Sequence, residues 1–327
     1  MAVISYIEAI TEALREEMER DGKVFIIGED VGKKGGVFKA TVGLYDQFGE
    51  SRVIDAPLAE SAIAGVGIGA AMYGYRPVAE MQFADFIMPA VNQIISEAAR
   101  IRYRSNNDWS CPLVIRAPFG GGVHGALYHS QSLEKVFFGQ PGLKIVIPSN
   151  PYDAKGLLKA AIRDNDPVLF FEHKRAYRLL KGEVPETDYT VPIGKANIVR
   201  EGDDITVITY GLAVEFAKQA AEKLSSEGIE AHILDLRTIY PLDKEAIIEA
   251  AKKTGKVLLV TEDNLQGSII GEVSAIIAEN CLFDLDAPIA RLAGPDSPAM
   301  PFSPMMEKFF MINPEEVQKA MRELAEF

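Results

Sequence analysis

The sequence predicts an α/β fold of two domains, each a parallel sheet flanked by helices. Three observations lead there. Runs such as Val24-Phe25-Ile26-Ile27 and Val168 to Phe171 are apolar throughout rather than alternating, and Leu113 to Ala117 is apolar but for Arg116, as strands buried on both faces are. Helical segments stand between these runs, the order that builds a parallel sheet. The rhythm breaks between His173 and Arg200, where Lys174, Arg175, Arg178, Lys181, Pro185 and Pro192 read as a linker, and then resumes. We therefore expect a first domain over 1–175, a linker over 176–200 and a second domain over 201–327.

The elements follow in order. Ser5 and Glu8 form a capping box for a helix whose apolar stripe is Tyr6, Ile10, Leu14 and Met18, and Gly22 ends it. A strand over Val24 to Ile27 runs into Gly28-Glu29-Asp30 and a loop with Gly32, Gly35 and Gly36. Val53-Ile54 is the next strand, Glu60 to Tyr73 a helix and Pro77 to Met81 a strand. Gly65, Gly67 and Gly69 predict that this helix packs closely on a neighbour. Phe86 to Tyr103 reads as one long helix starting near Pro89, because proline is tolerated in a first turn. Leu113 to Ala117 and Leu143 to Ile147 are strands on either side of a long loop. Asn150-Pro151-Tyr152-Asp153 opens a helix with cap, proline and acid in favoured places. In the second half, strands are expected at Ile205 to Thr209, Ala231 to Leu236, Val257 to Val260 and Ile289 to Leu292. Helices are expected at Val214 to Ser226, Asp243 to Lys253 and Glu272 to Glu279. A proline-rich loop from Pro295 to Pro304 leads to a last helix capped by Asn313.

Composition narrows the function. With 34 basic and 47 acidic residues, the net charge of −13 argues against nucleic acid or an anionic membrane as main partner. The first residues lack a basic segment followed by an apolar run, and no stretch approaches a membrane span. The two cysteines, Cys111 and Cys281, lack metal-ligand spacing, and a reduced, cytoplasmic protein is expected.

Ligands of open parallel sheets sit beyond the carboxyl ends of the strands. Glu29, Glu60, Gln82 with Asp85 and Phe86, and Glu262 with Asp263 stand at such ends. The loop Gly120 to Ser132 adds His124 and His129 among four glycines. Each has a plain structural reading. Glu60 is a helix cap or a working acid, Phe86 is core or a stacking ring, and either histidine is structural or catalytic. The glycines do not form a dinucleotide fingerprint, since Gly65-Val66-Gly67-Ile68-Gly69 lies within a helix. There is no phosphate loop and no nucleophile elbow.

Several motifs taken together carry a resemblance. They are Gly28-Glu29-Asp30-Val31, Pro57-Leu58-Ala59-Glu60, Gln82-Phe83-Ala84-Asp85, Arg102-Tyr103-Arg104, His129-Ser130-Gln131-Ser132, Pro141-Gly142-Leu143-Lys144 and Asp235-Leu236-Arg237-Thr238. The chain resembles, over its whole length, the beta subunits of the thiamine-diphosphate-dependent decarboxylating component of 2-oxo acid dehydrogenase complexes. The resemblance implies a transketolase-like pyrimidine-binding domain followed by a transketolase C-terminal-like domain with a five-stranded, mostly parallel sheet. It implies that Glu60 bonds N1′ of the cofactor's aminopyrimidine ring, with Glu29, Leu58, Gln82 and Phe86 around that ring. It gives His129 proton transfer during acylation of a lipoyl group. It matches Asp164 and Asp166 to a potassium site found in some relatives. The family's diphosphate and Mg2+ motif, Gly-Asp-Gly, is missing; Gly202-Asp203-Asp204 is only a near miss. An alpha subunit in an α2β2 heterotetramer is therefore implied, together with a lipoylated acyltransferase. The segment Val123 to Ser132 is similar to branched-chain members, so branched-chain 2-oxo acids are expected ahead of pyruvate or acetoin chemistry. A non-catalytic assembly scaffold is the reading of another class.

Overall fold

The computed structural model describes all residues, Met1–Phe327, as two units. Met1–Phe119 and Val136–Ile193 form the first; Gly120–Lys135 and Gly194–Phe327 form the second. The stretch 176–200 thus divides between them, and the histidine loop belongs with the second.

The first unit holds parallel strands in the order Lys144–Val146, Val168–His173, Val114–Phe119, Arg76–Glu80, Val24–Gly28 and Val53–Asp55. The strands Val24–Gly28, Val114–Phe119 and Val168–His173 are buried along their whole length, as their largely apolar runs require. The helix Tyr6–Arg20 carries the capping box: Ser5 Oγ accepts from Glu8 N–H, and Ser5 N–H donates to the Glu8 carboxylate at 2.7 Å. Its stripe of Tyr6, Ala9, Ile10, Ala13, Leu14 and Met18 packs in one core with Leu157, Leu158, Ala161 and Ile162 of the helix Pro151–Arg163. Two buried lysines join the same helices. Lys155 lies 2.9 Å from Glu12 and 2.7 Å from Glu16, and Lys159 lies 2.5 Å from Glu16 and from Asp188. A two-stranded antiparallel ribbon, Ala2–Ser5 with Lys181–Val184, was not foreseen from the sequence.

Two expectations need correction here. The segment expected as one helix over 86–103 is a chain of short pieces: a 3₁₀ turn at Ala84–Ala90, a π turn at Gln93–Glu97, a second 3₁₀ turn at Ala98–Arg100 and a single α turn at Ile101–Arg104. Pro89 sits inside the first 3₁₀ piece, where its missing N–H and ring forbid a regular α ladder. The glycines of the helix Glu60–Met72 are not equivalent. A Cβ at Gly67 would lie 2.9 Å from Leu113, whereas Gly65 and Gly69 face open space within this chain. Close packing inside the chain explains Gly67 alone.

The second unit has the five-stranded sheet Ala290–Gly294, Val257–Asn264, Ile205–Thr209, Ala231–Asp235 and Asn197–Arg200, antiparallel only at the last strand. Helices Ala213–Ser225, Lys244–Thr254, Ile269–Cys281 and Pro314–Ala325 flank it, with Asp243 and Asn313 as side-chain caps at the expected places. The strand Val257–Asn264 runs further than expected, so Glu262 and Asp263 lie within it and not beyond it. The proline-rich loop also contains a short helix, Pro304–Phe310, with Glu307 buried and Met305, Met306 and Phe309 exposed. Both cysteines are buried and free. No helix is long and apolar enough to cross a membrane.

Candidate active site

Three adjacent parallel strands deliver the acids of the first unit to one edge. In the register, Gly28 stands beside both Asp55 and Glu80, so Glu29, the turn before Glu60, and Gln82 all leave the sheet at neighbouring carboxyl ends. The crossing is tight. Ala56 N–H donates to Gly28 O at 2.8 Å and Gly32 N–H to Asp55 Oδ1 at 2.6 Å. A Cβ at Gly32 would lie 2.5 Å from the Asp55 carboxylate, so only glycine admits this contact. Glu60 is the first residue of its helix, which begins at Ala59 without a side-chain cap. The Glu60 carboxylate stands in the first turn of that helix. Burial, then the charges of Asp30 and Glu60, raises the Glu29 carboxyl above its ordinary value. Glu29 and Glu60 therefore stand at neighbouring strand ends, near enough for the charge of Glu60 to act on Glu29. Phe86 is half-buried and meets Phe83 edge-on at 5.5 Å; Phe83 in turn touches Phe38 at 5.2 Å. Leu58 is 73% exposed, a large apolar side chain open to a ligand or partner.

Beneath this edge lies a charged cluster that the sequence reading missed. Arg116 is fully buried in a strand. Its guanidinium bonds both Glu172 oxygens at 2.5 and 2.7 Å and Glu80 at 2.6 Å. Tyr177 donates its hydroxyl to Glu172 at 2.6 Å. Burial opposes the guanidinium's charge, yet Glu172 and Glu80 together hold Arg116 protonated well above its ordinary range. The available signal was one arginine inside the apolar run Val114-Ile115-Arg116-Ala117, with acids in the strands on either side.

The loop Gly120–Lys135 is built within the second unit. Gly121 N–H donates to Glu262 at 2.7 Å, and Gly122 N–H to Glu307 at 2.9 Å. His124 pairs through Nδ1 with Glu307 at 2.5 Å. His124 and Ala126 have φ of 56° and 57°, a left-handed conformation costing about 1–2 kcal/mol for each non-glycine residue. His129 follows a 3₁₀ turn at Ala126–Tyr128 and is half-buried. A small cleft of about 80 Å³ opens beside Ser130, Gln131, Lys135, Glu262, Asp263 and Asn264. Behind it, burial and then the charge of Asp263 push the Glu134 carboxyl up to about 8, and Tyr210 donates to it at 3.0 Å. Asp263 is engaged by Lys135 at 3.0 Å and does not cap the following helix, which starts at Ser268.

Asp164 and Asp166, matched above to a potassium site, are engaged by cationic side chains. Lys144 Nζ lies 2.7 and 2.6 Å from the two Asp164 oxygens and 3.7 Å from Asp166, which Arg102 engages at 2.5 Å.

Comparison with known proteins places these features. The pattern described as "Transketolase, pyrimidine binding domain" matches residues 2–179, and "Transketolase, C-terminal domain" matches 194–317. The 2-oxoisovalerate dehydrogenase subunit beta of Bacillus subtilis is 78% identical over the full length of both chains. The chain belongs to the family of 2-oxo acid dehydrogenase beta subunits. The pyruvate dehydrogenase E1 component subunits beta of Bacillus subtilis and Staphylococcus aureus are more distant family members, at 48% and 44% identity over full length. Among solved structures, a split-gene transketolase described as an inactive beta4 tetramer superposes with a TM-score of 0.77 at 22% identity, covering 99% of this chain and 98% of that one. The transketolase of Leishmania mexicana gives 0.73 at 16% identity, covering all of this chain and 46% of that one. These two show the fold alone, which is transketolase-like. The acidic edge lies in the unit that carries the pyrimidine-binding pattern.

Proposed function

We propose that this chain is the beta subunit of a branched-chain 2-oxo acid dehydrogenase, working with thiamine diphosphate in the cytoplasm. The observation that carries the reading is the placement of Glu29, Glu60, Gln82 and Phe86 after neighbouring parallel strands at one carboxyl edge of the sheet. Burial and the neighbouring charges raise the Glu29 carboxyl, which suits keeping a proton near a ring nitrogen that must receive a hydrogen bond. Glu60 would hold that proton at N1′ of the aminopyrimidine, Glu29 would help retain it, and Leu58 and Phe86 would supply the apolar walls. When bound, the cofactor supplies the electron sink for loss of CO₂. Acyl transfer to a lipoyl disulfide makes one thioester and leaves one thiolate, and His129 would deliver the proton that thiolate takes.

No group of three or more His, Cys, Asp or Glu residues here could hold a metal ion. Mg2+ and the diphosphate would therefore be held by an alpha subunit, in an α2β2 assembly. Large exposed apolar side chains support such partners, among them Tyr73 at 85% and Tyr103 at 93%. The lipoylated acyltransferase would be the second partner, docking near the end at Phe327.

The higher identity to the 2-oxoisovalerate subunit than to the pyruvate subunits favours branched-chain substrates. The test reconstitutes the chain with its alpha subunit, thiamine diphosphate and Mg2+ and compares kcat/KM for 3-methyl-2-oxobutanoate and pyruvate. A preference of about tenfold or more for the branched acid is expected, the scale of a few buried methyl groups. Equal or better use of pyruvate contradicts the substrate assignment, and no decarboxylation at all returns the chain to an assembly scaffold.

A further inference from the structure

The loop that carries His129 is fixed by a carboxylate distant in sequence. Glu307, 2% exposed, accepts with one oxygen from the backbone N–H groups of Gly122 at 2.9 Å and His124 at 3.2 Å. Its other oxygen lies 2.5 Å from His124 Nδ1. The backbone it grips is the part of the loop least able to hold itself, with His124 and Ala126 both in the left-handed region. Packing tightens the same stretch. A Cβ at Gly121 would lie 2.7 Å from Met300 and 3.0 Å from Met311, and one at Gly125 would lie 2.8 Å from both the Cβ and the carbonyl oxygen of His129. Gly125 therefore joins the gripped residue 124 directly to His129.

We propose that Glu307 is a positioning residue for His129. Its carboxylate sets the backbone at Gly122 and His124, and Gly125 passes that setting on through its contact with His129. The proposal rests on the reading of His129 as proton donor to the lipoyl sulfur. Glu307 itself touches neither that sulfur nor the imidazole of His129.

The test uses the complex reconstituted with the alpha subunit. One readout is the rate of acyl transfer to a lipoylated domain divided by the rate of decarboxylation with ferricyanide as acceptor. The other, needing no catalysis, is hydrogen exchange at the Gly122 and His124 amides. In Glu307→Ala the ratio is expected to fall about 10- to 100-fold, the effect of a misplaced group, with faster exchange at both amides. Glu307→Gln keeps an oxygen for both N–H groups while losing the charge opposite His124, and is expected to restore most of the ratio and the slow exchange. An unchanged ratio in Glu307→Ala, or a loss in Glu307→Gln as large as in Glu307→Ala, overturns the proposal. If Glu307→Ala does not assemble, Glu307→Asp draws the carboxylate back by one carbon, and an unchanged ratio and exchange there overturns it equally. His129→Ala separates the two readings. If its ratio stays at the wild-type value, the role given to His129 fails; if its ratio falls while that of Glu307→Ala does not, only the positioning role fails.

Discussion

Glu60→Gln is expected to lower decarboxylation by about 10²- to 10⁴-fold, the usual contribution of a positioned proton-transfer group. The substitution keeps size and shape and removes the acid. Its cost to the fold should be small. The helix Glu60–Met72 starts without a side-chain cap, so what is lost is one carboxylate near a helix N-terminus, about 0.3–1 kcal/mol. The two outcomes separate the readings the sequence left open. A helix cap predicts lower stability with turnover retained; a working acid predicts lost turnover with stability nearly retained. Urea unfolding of the variant and its decarboxylation rate in the reconstituted complex decide the matter. Near wild-type turnover removes Glu60 from the mechanism.

Arg116→Met is expected to destabilise the first unit by about 3–5 kcal/mol, because it strands buried carboxylates without their cation. Glu172 loses two charge-assisted bonds and Glu80 loses one, while Tyr177 still donates to Glu172. The methionine fills most of the volume, so the missing charge, not a cavity, sets the loss. Thermal or urea unfolding measures it. A loss under about 1 kcal/mol would mean that Glu80 and Glu172 take up protons without strain on the fold. The cluster sits below the loop that follows Glu29, where a Cβ at Gly36 would come 3.5 Å from Glu80. Its loss should therefore also loosen the acidic edge.

The features legible in the sequence are those encoded locally. Buried parallel strands announced themselves as continuous apolar runs, and the caps at Ser5, Asn150 and Asn313 were readable because a cap involves residues three apart. Glu29 and Glu60 could be placed at strand ends by the same logic, though only the resemblance chose between cap and acid. What escaped depends on partners far along the chain. Arg116 meets Glu80 and Glu172 across 36 and 56 residues, and Glu307 grips Gly122 across 185. Such pairs follow from strand register and from how a loop folds back, neither of which a local pattern contains. The engagement of Asp164 by Lys144, twenty residues earlier, escaped for the same reason. The irregular helix at 84–104 shows a milder limit. Pro89 was visible, but the π turn after it has no local signature.

The central claim is that this chain supplies the pyrimidine half of a cofactor site completed by another subunit. Calorimetric titration of thiamine diphosphate with Mg2+ tests it most directly, on the chain alone and on the chain mixed with its alpha subunit. The account predicts binding at least about 100-fold weaker for the chain alone, a difference of about 2.7 kcal/mol. Equally tight binding by the isolated chain would contradict it.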